Sequence, residues 1–239
     1  MTTHPYLHQG LSILHARLKS PQSPLSIAGA VHPFVTLSWE TCAGATTLGH
    51  QLLPLLNQHI PEEGRSWMFL DKDLINQALS LNHLPDHLAD YLPEDRLPEI
   101  KGLIGEMVGL HPPLWELEHR VTEAILKLAQ LGCVILAGRA ANLITRDLPG
   151  GFHLRLVTPR ESRIKRAQVL HNLSHDAAEK FLRDNDSARE RHMQTHFEQD
   201  INDPRLYDLV INTDRIAPAT AARLVVETMR ERLTVASPA

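Results

Sequence analysis

From residue 34 onward, short apolar runs alternate with longer stretches of helical periodicity. Phe34 to Leu37, Trp67 to Leu70, Cys133 to Ala137, Phe152 to Val157 and Tyr207 to Ile211 are rich in β-branched and aromatic side chains. Runs of this length and composition suit strands covered on both faces. The intervening spacing predicts helices from Thr46-Thr47 onward, over about Lys72 to Leu81, over Leu114 to Leu131 ahead of Gly132, and over Pro159 to His171 with proline at the first helical position. A further helix runs from a Ser174 cap to about His196, and a last one from Pro218 to Leu233. Strands separated by helices imply an α/β fold, a parallel sheet with helices on both faces, and ligands beyond the carboxyl ends of its strands.

Two segments break this alternation. Leu7, Leu11, Leu14 and Leu18 fall on one helical face, and Ser20-Pro-Gln-Ser-Pro24 reads as a linker, so residues 1–33 are an N-terminal helical appendage ahead of a main domain at 34–239. The appendage can pack on that domain or on a second subunit, which leaves a homo-oligomer open. Residues 84–113 form a helical insert punctuated by Pro85, Pro93, Pro98 and Pro112-Pro113.

Composition narrows the classes. An apolar fraction of 43% and a charged fraction of 22% are ordinary for a globular protein, and no apolar run approaches a membrane span. Cys42 and Cys133 are the only cysteines; they offer neither metal spacing nor a disulfide framework, which fits a reducing cytoplasm. The first residues lack the basic and apolar regions of a secretory signal. A net charge of -4 argues against general nucleic-acid binding, yet residues 139–191 carry 11 Lys and Arg against 7 Asp and Glu. That stretch is +4 and suits a compact polyanion; solvated helix faces would explain most of it equally well.

The most informative segment follows the first strand. Cys42, Ala43, Gly44 and Ala45 have little side-chain bulk, so their N–H groups can approach a ligand closely, and Thr46 and Thr47 stand at a helix start. Unpaired N–H groups and the helix dipole favour phosphate there. The pattern G-x-x-x-x-G-K-[ST] adds a lysine for the phosphates and a hydroxyl for magnesium. Here Ala45 holds the lysine position, and Ser38 or Trp39 stands near that of the first glycine. The other strand ends offer Asp71-Lys-Asp73, Gly138-Arg139 and Asn212-Thr213.

The strings Thr36-Leu-Ser-Trp-Glu-Thr-Cys-Ala-Gly-Ala-Thr-Thr-Leu48, Phe69-Leu-Asp-Lys-Asp-Leu-Ile75, Val134-Ile-Leu-Ala-Gly-Arg-Ala-Ala-Asn142, Phe152-His-Leu-Arg-Leu-Val157 and Leu206-Tyr-Asp-Leu-Val-Ile-Asn-Thr213 resemble the cytidylate kinase-like family. The resemblance spans roughly residues 33–232 and implies a P-loop NTPase-type sheet with a helical insert and a lid-like helical segment over 160–200. It implies ATP and magnesium as cofactors, with Cys42, Ala43, Gly44, Ala45, Thr46 and Thr47 around the ATP phosphates and Thr46 or Thr47 near the metal. Arg139 matches the arginine of a Gly-Arg-Asp motif that helps bind a monophosphate, although Ala140 replaces the aspartate. Arg163-Ile-Lys-Arg166 resembles the basic start of the helix leading to the lid; Arg183, Asp186 and Arg189 resemble the lid's arginine and aspartate set, with Arg183 one place out of step. Relatives often carry glycine at the positions of Cys42, Ala45 and Ala140, and many lack the lysine.

In-line transfer of a γ-phosphoryl group needs positioning and charge neutralisation more than covalent chemistry. Arg139, Arg183 and Arg189 can supply the charge. Asp71 and Asp73 can hold magnesium or orient an acceptor, or can simply serve the start of the next helix. The resulting readings are ATP- and magnesium-dependent transfer to a nucleoside monophosphate such as CMP, transfer to another small hydroxyl compound, or a catalytically weak nucleotide-binding regulator. The expected partners are nucleotide substrates, with no membrane and no nucleic acid. Among weaker candidates, His192 and His196 have a zinc-compatible spacing but lack the glutamate of H-E-x-x-H. Cys42 at a helix start invites a lowered thiol pKa, though a small loop residue explains it. Trp39 and Glu40 can touch a base or merely pack, and Cys133 is expected in the core.

Overall fold

A computed structural model describes residues 32–62, 65–71, 114–138 and 140–236. Within them β1 (Phe34–Trp39), α1 (Ala45–His59), β2 (Met68–Leu70), α2 (Leu114–Leu131), β3 (Val134–Ala137), α3 (Ala141–Ile144), β4 (Gly151–Val157), α4 (Arg160–His171), α5 (His175–Phe197), β5 (Leu209–Asn212) and α6 (Pro218–Ala236) follow in order. The appendage, apart from residues 32 and 33, the helix expected over Lys72 to Leu81 and the 84–113 insert lie outside the described residues.

Every strand pairing is parallel, in the order β2-β3-β1-β4-β5. Alternate side chains therefore go to opposite faces. Val35, Leu37, Ile135, Phe152, Leu154, Leu156 and Ile211 meet Leu48, Leu52 and Leu56 of α1 and Ala222, Val225 and Val226 of α6. Phe34, Met68, Leu70, Val134 and Leu136 meet Ile125, Leu128 and Ala129 of α2 on the other face. Each fully buried leucine of this kind contributes about 1.5–3 kcal/mol. Helices on both faces explain why these strands are near-continuous apolar runs.

Several boundaries shift for visible reasons. Pro159 caps α4 from outside (φ -51°, ψ 140°) instead of occupying its first turn. The last strand starts at Leu209, because residues 204–206 make a 3-10 turn and the Tyr207 hydroxyl bonds the Ile201 carbonyl at 2.8 Å. The short helix α3 had no periodic signature to announce it. Ser174 does cap α5, its Oγ accepting from the Ala177 N–H at 3.3 Å. The α4 and α5 helices pack together through Ile164, Ala167, Ala178 and Leu182, with Cys42 against them. Among the described residues no helix is long and apolar enough to cross a membrane.

Candidate functional site

Strand β1 stops where the chain turns tightly on itself: the Ala43 N–H donates to the Glu40 carbonyl at 2.9 Å. Cys42 then adopts a left-handed φ of 63°, and Gly44 caps α1 at φ 88° without any side-chain cap. The first intrahelical bond runs from the Leu48 N–H to the Gly44 carbonyl at 3.0 Å, so the N–H groups of Ala45, Thr46 and Thr47 at the mouth of the helix are the orphan donors that suit an anion. Ala45 is buried, whereas Thr46 and Thr47 are exposed in the first turn.

Three successive carbonyls of this loop meet donors from other elements. Arg163 Nη1 donates to the Thr41 carbonyl at 3.5 Å, Arg166 Nη1 to the Cys42 carbonyl at 3.4 Å, and the Thr213 hydroxyl to the Ala43 carbonyl at 2.8 Å. Arg166 also donates to the Thr213 hydroxyl at 3.2 Å and carbonyl at 3.1 Å. Thus α4 and the end of β5 brace the loop. Glu40 adds a further tie, accepting from the Thr158 N–H at 2.7 Å ahead of α4.

Asp186 of α5 completes the bracing. Its carboxylate accepts from the Thr41 N–H at 2.8 Å and the Thr41 hydroxyl at 2.5 Å, and it pairs with Arg163. Burial pushes this carboxyl up, but the Thr41 hydrogen bonds and Arg163 together outweigh burial and hold it below the usual carboxylate range. Arg163, with its side chain 11% exposed, also lies 3.5 Å from Glu40. Arg189 Nη1 donates to the Thr41 hydroxyl at 2.6 Å and lies 3.5 Å from Asp186, with its guanidinium 5.3 Å from the centre of the Trp39 ring.

The loop residues 42–47, Asp186 and Arg189 therefore come together around Thr41. Arg183 instead stands on an exposed side of α5, 3.9 Å from Asp184. Asp71 is half-buried at the end of β2, separated from β1 by β3. Arg139 and Asp73 lie outside the described residues. Burial pushes the Cys42 thiol up, more than Arg163 and the neighbouring arginines pull it down, so it stands above its ordinary value rather than below. His192 and His196 meet with ring centroids 4.7 Å apart and planes tilted by 48°, and among the described residues no group of three metal-ligating side chains occurs. Cys133 is fully buried.

Sequence reasoning passed over Thr41 and Arg155. Thr41 carries no motif signal. Arg155 does: it is a charge inside an apolar strand, level with Ser38 in register. At 4% exposure it donates to Ser38 Oγ and Asn202 Oδ1, both at 2.9 Å, and lies over the Tyr207 ring at 5.7 Å. It joins the approach to the loop with the segment that follows α5.

Whether this cradle fits a nucleotide follows from its donor set. Unbulky backbone, orphan N–H groups and the guanidinium groups of Arg166 and Arg189 suit phosphate oxygens. The exposed Thr46 hydroxyl suits a magnesium ion held mainly by phosphate oxygens and water.

A model of the cytidylate kinase-like family matches residues 34–215. Among solved structures, an uncharacterized protein from Eubacterium ventriosum is 15% identical, with 82% of this chain and 98% of that chain covered at a TM-score of 0.59. Shikimate kinase from Bacteroides thetaiotaomicron is 14% identical, with 85% and 99% covered at a TM-score of 0.47. Shikimate kinase from Acinetobacter baumannii, solved with shikimate, is 19% identical, with 84% and 94% covered at a TM-score of 0.48. No curated protein matches the chain.

Proposed function

Because the chain belongs to the cytidylate kinase-like family, a membership that supports phosphoryl transfer to a small substrate, we propose that it moves the γ-phosphoryl group of ATP, with magnesium, to a nucleoside monophosphate, CMP being the first acceptor to test. The observation that carries this reading is the clustering of Arg163, Arg166 and Arg189 around the loop at Thr41 and Cys42. With Ala45 in the lysine position, the guanidinium groups of Arg166 and Arg189 supply the cationic charge.

The residues divide the work. The orphan N–H groups of Ala45 to Thr47 bind phosphate oxygens, and Thr46 offers its hydroxyl to the magnesium. Arg163 is committed to Asp186 and Glu40 and keeps the loop in shape. Arg166 and Arg189, with side chains 33% and 28% exposed, retain access to a ligand. The α4–α5 pair acts as the lid, excluding water and strengthening each charge contact in the drier site. Arg139 and Asp73 lie along the chain where the acceptor is expected, and Asp71 orients it or shares the magnesium. Magnesium, when bound, neutralises charge on the transferring phosphates.

The buried Ala45 favours one second reading, a nucleotide-binding regulator in which the loop holds phosphate without driving transfer. Mixing the full chain with ATP, magnesium and each nucleoside monophosphate, then small hydroxyl compounds, and measuring ADP separates these readings. ADP formation with a nucleoside monophosphate supports the first. ATP binding with no turnover on any acceptor replaces it with the regulator.

A further inference from the structure

Trp39 ends β1 near the place where a phosphate loop has its first glycine, and its indole touches three separate parts of the molecule. Above the ring lies the guanidinium of Arg189, at 5.3 Å. Beside it lies Gly138, where an added Cβ would come within 3.2 Å of Cη2 and 3.5 Å of Cζ3 of the indole. Partly buried, the ring also packs against the core cluster that contains Leu37 and Ala43. Gly138 is thus constrained twice, by this close approach and by its φ of +86°.

These contacts set the tryptophan between α5 and the turn that begins the Gly138-Arg139 motif. Hydrogen bonds from Arg189 to the Thr41 hydroxyl and to Asp186 fix the tip of the guanidinium; the indole face fixes its plane. A cation over an indole face is held by the ring quadrupole, worth roughly two- to thirtyfold in the population of the docked arginine.

We propose that Trp39 is a positioning residue for the transfer step: its indole presents Arg189 to the phosphate loop and links that presentation to the turn at Gly138. The proposal rests on the phosphoryl-transfer reading of this site. It acts through Arg189, so removing the ring should slow the chemical step more than it weakens ATP binding.

The test uses the full chain with ATP and magnesium, the acceptor panel, and the variants Trp39→Phe, Trp39→Leu and Arg189→Gln. Trp39→Leu should lower kcat about tenfold while KM for ATP changes less than about threefold, and Trp39→Phe should recover most of the loss. Wild-type emission should change on ATP addition; Trp39→Phe and Arg189→Gln should both abolish that change. Should Trp39→Leu fail to fold, the two other variants decide the matter through emission. Wild-type kcat in Trp39→Leu, equal losses in the phenylalanine and leucine variants, or an ATP-dependent emission change that survives in Arg189→Gln overturns the proposal alone. A wild-type protein that forms no ADP with any acceptor overturns the transfer reading and this proposal with it.

Discussion

Thr41 and Asp186, 145 positions apart, are joined twice: the Thr41 N–H and hydroxyl both donate to the same carboxylate oxygen, at 2.8 and 2.5 Å. The loop's shape therefore depends on a helix far along the chain. Asp186→Asn keeps the outline of the side chain but leaves Arg163, buried at 9% exposure, with Glu40 as its one remaining acid among the described residues. Breaking one side of a buried pair costs about 3–5 kcal/mol, and Glu40 should reduce this to about 2–3 kcal/mol. A urea titration checks it; an unchanged midpoint would show that Asp186 does not support the fold.

Acid should weaken the protein through His153. Burial holds this imidazole below its ordinary value, against the pull of Asp208, and its Nδ1 lies 2.8 Å from Thr36 Oγ1. The unfolded chain takes up a proton below about pH 6.5 while the native state resists it until lower pH. The stabilisation is thus complete above about pH 6.5 and is lost as pH falls through the depressed native value. Thermal melts at pH 7.5 and about 5.5 should show a larger drop for the wild type than for His153→Gln.

Ala140 caps α3 at φ 52°, a left-handed conformation unfavourable to an alanine. Ala140→Gly relieves that strain at the cost of greater unfolded-chain freedom and a small packing contact. The expected net gain is about 0.5–1 kcal/mol, read as a higher denaturation midpoint.

Gly49 should tolerate nothing larger. A Cβ there would meet the Phe69 ring at 2.4 Å, so Gly49→Ala must displace that ring from its packed position. Overpacking costs about 1–3 kcal/mol against about 1 kcal/mol of helix propensity regained, leaving a net loss of up to about 2 kcal/mol in a thermal melt.

The pattern of the chain carried the alternation of strands and helices because each buried strand, such as Val134 to Ala137, is apolar throughout and each helix has one apolar face. Strand order was not legible, since parallel pairing leaves no local mark in Phe34 to Leu37 or in Phe152 to Val157. At the site, small residues from Cys42 to Ala45 marked the loop. The roles of Thr41 and Arg163 did not emerge, because hydrogen bonds between residues more than a hundred positions apart have no local periodicity. Arg155 offered a signal, a single charge in an apolar strand, that only its hydrogen bonds to Ser38 and Asn202 make intelligible.

The central claim is that a phosphate loop without a lysine takes its positive charge from α4 and α5. Calorimetric titration of ATP with magnesium into the wild type and Arg166→Ala tests it most directly. Wild-type binding with at least about tenfold weaker binding in Arg166→Ala, at a similar melting temperature, is the predicted result. Equal affinity in the two proteins, or no binding of ATP to the wild type, would contradict it.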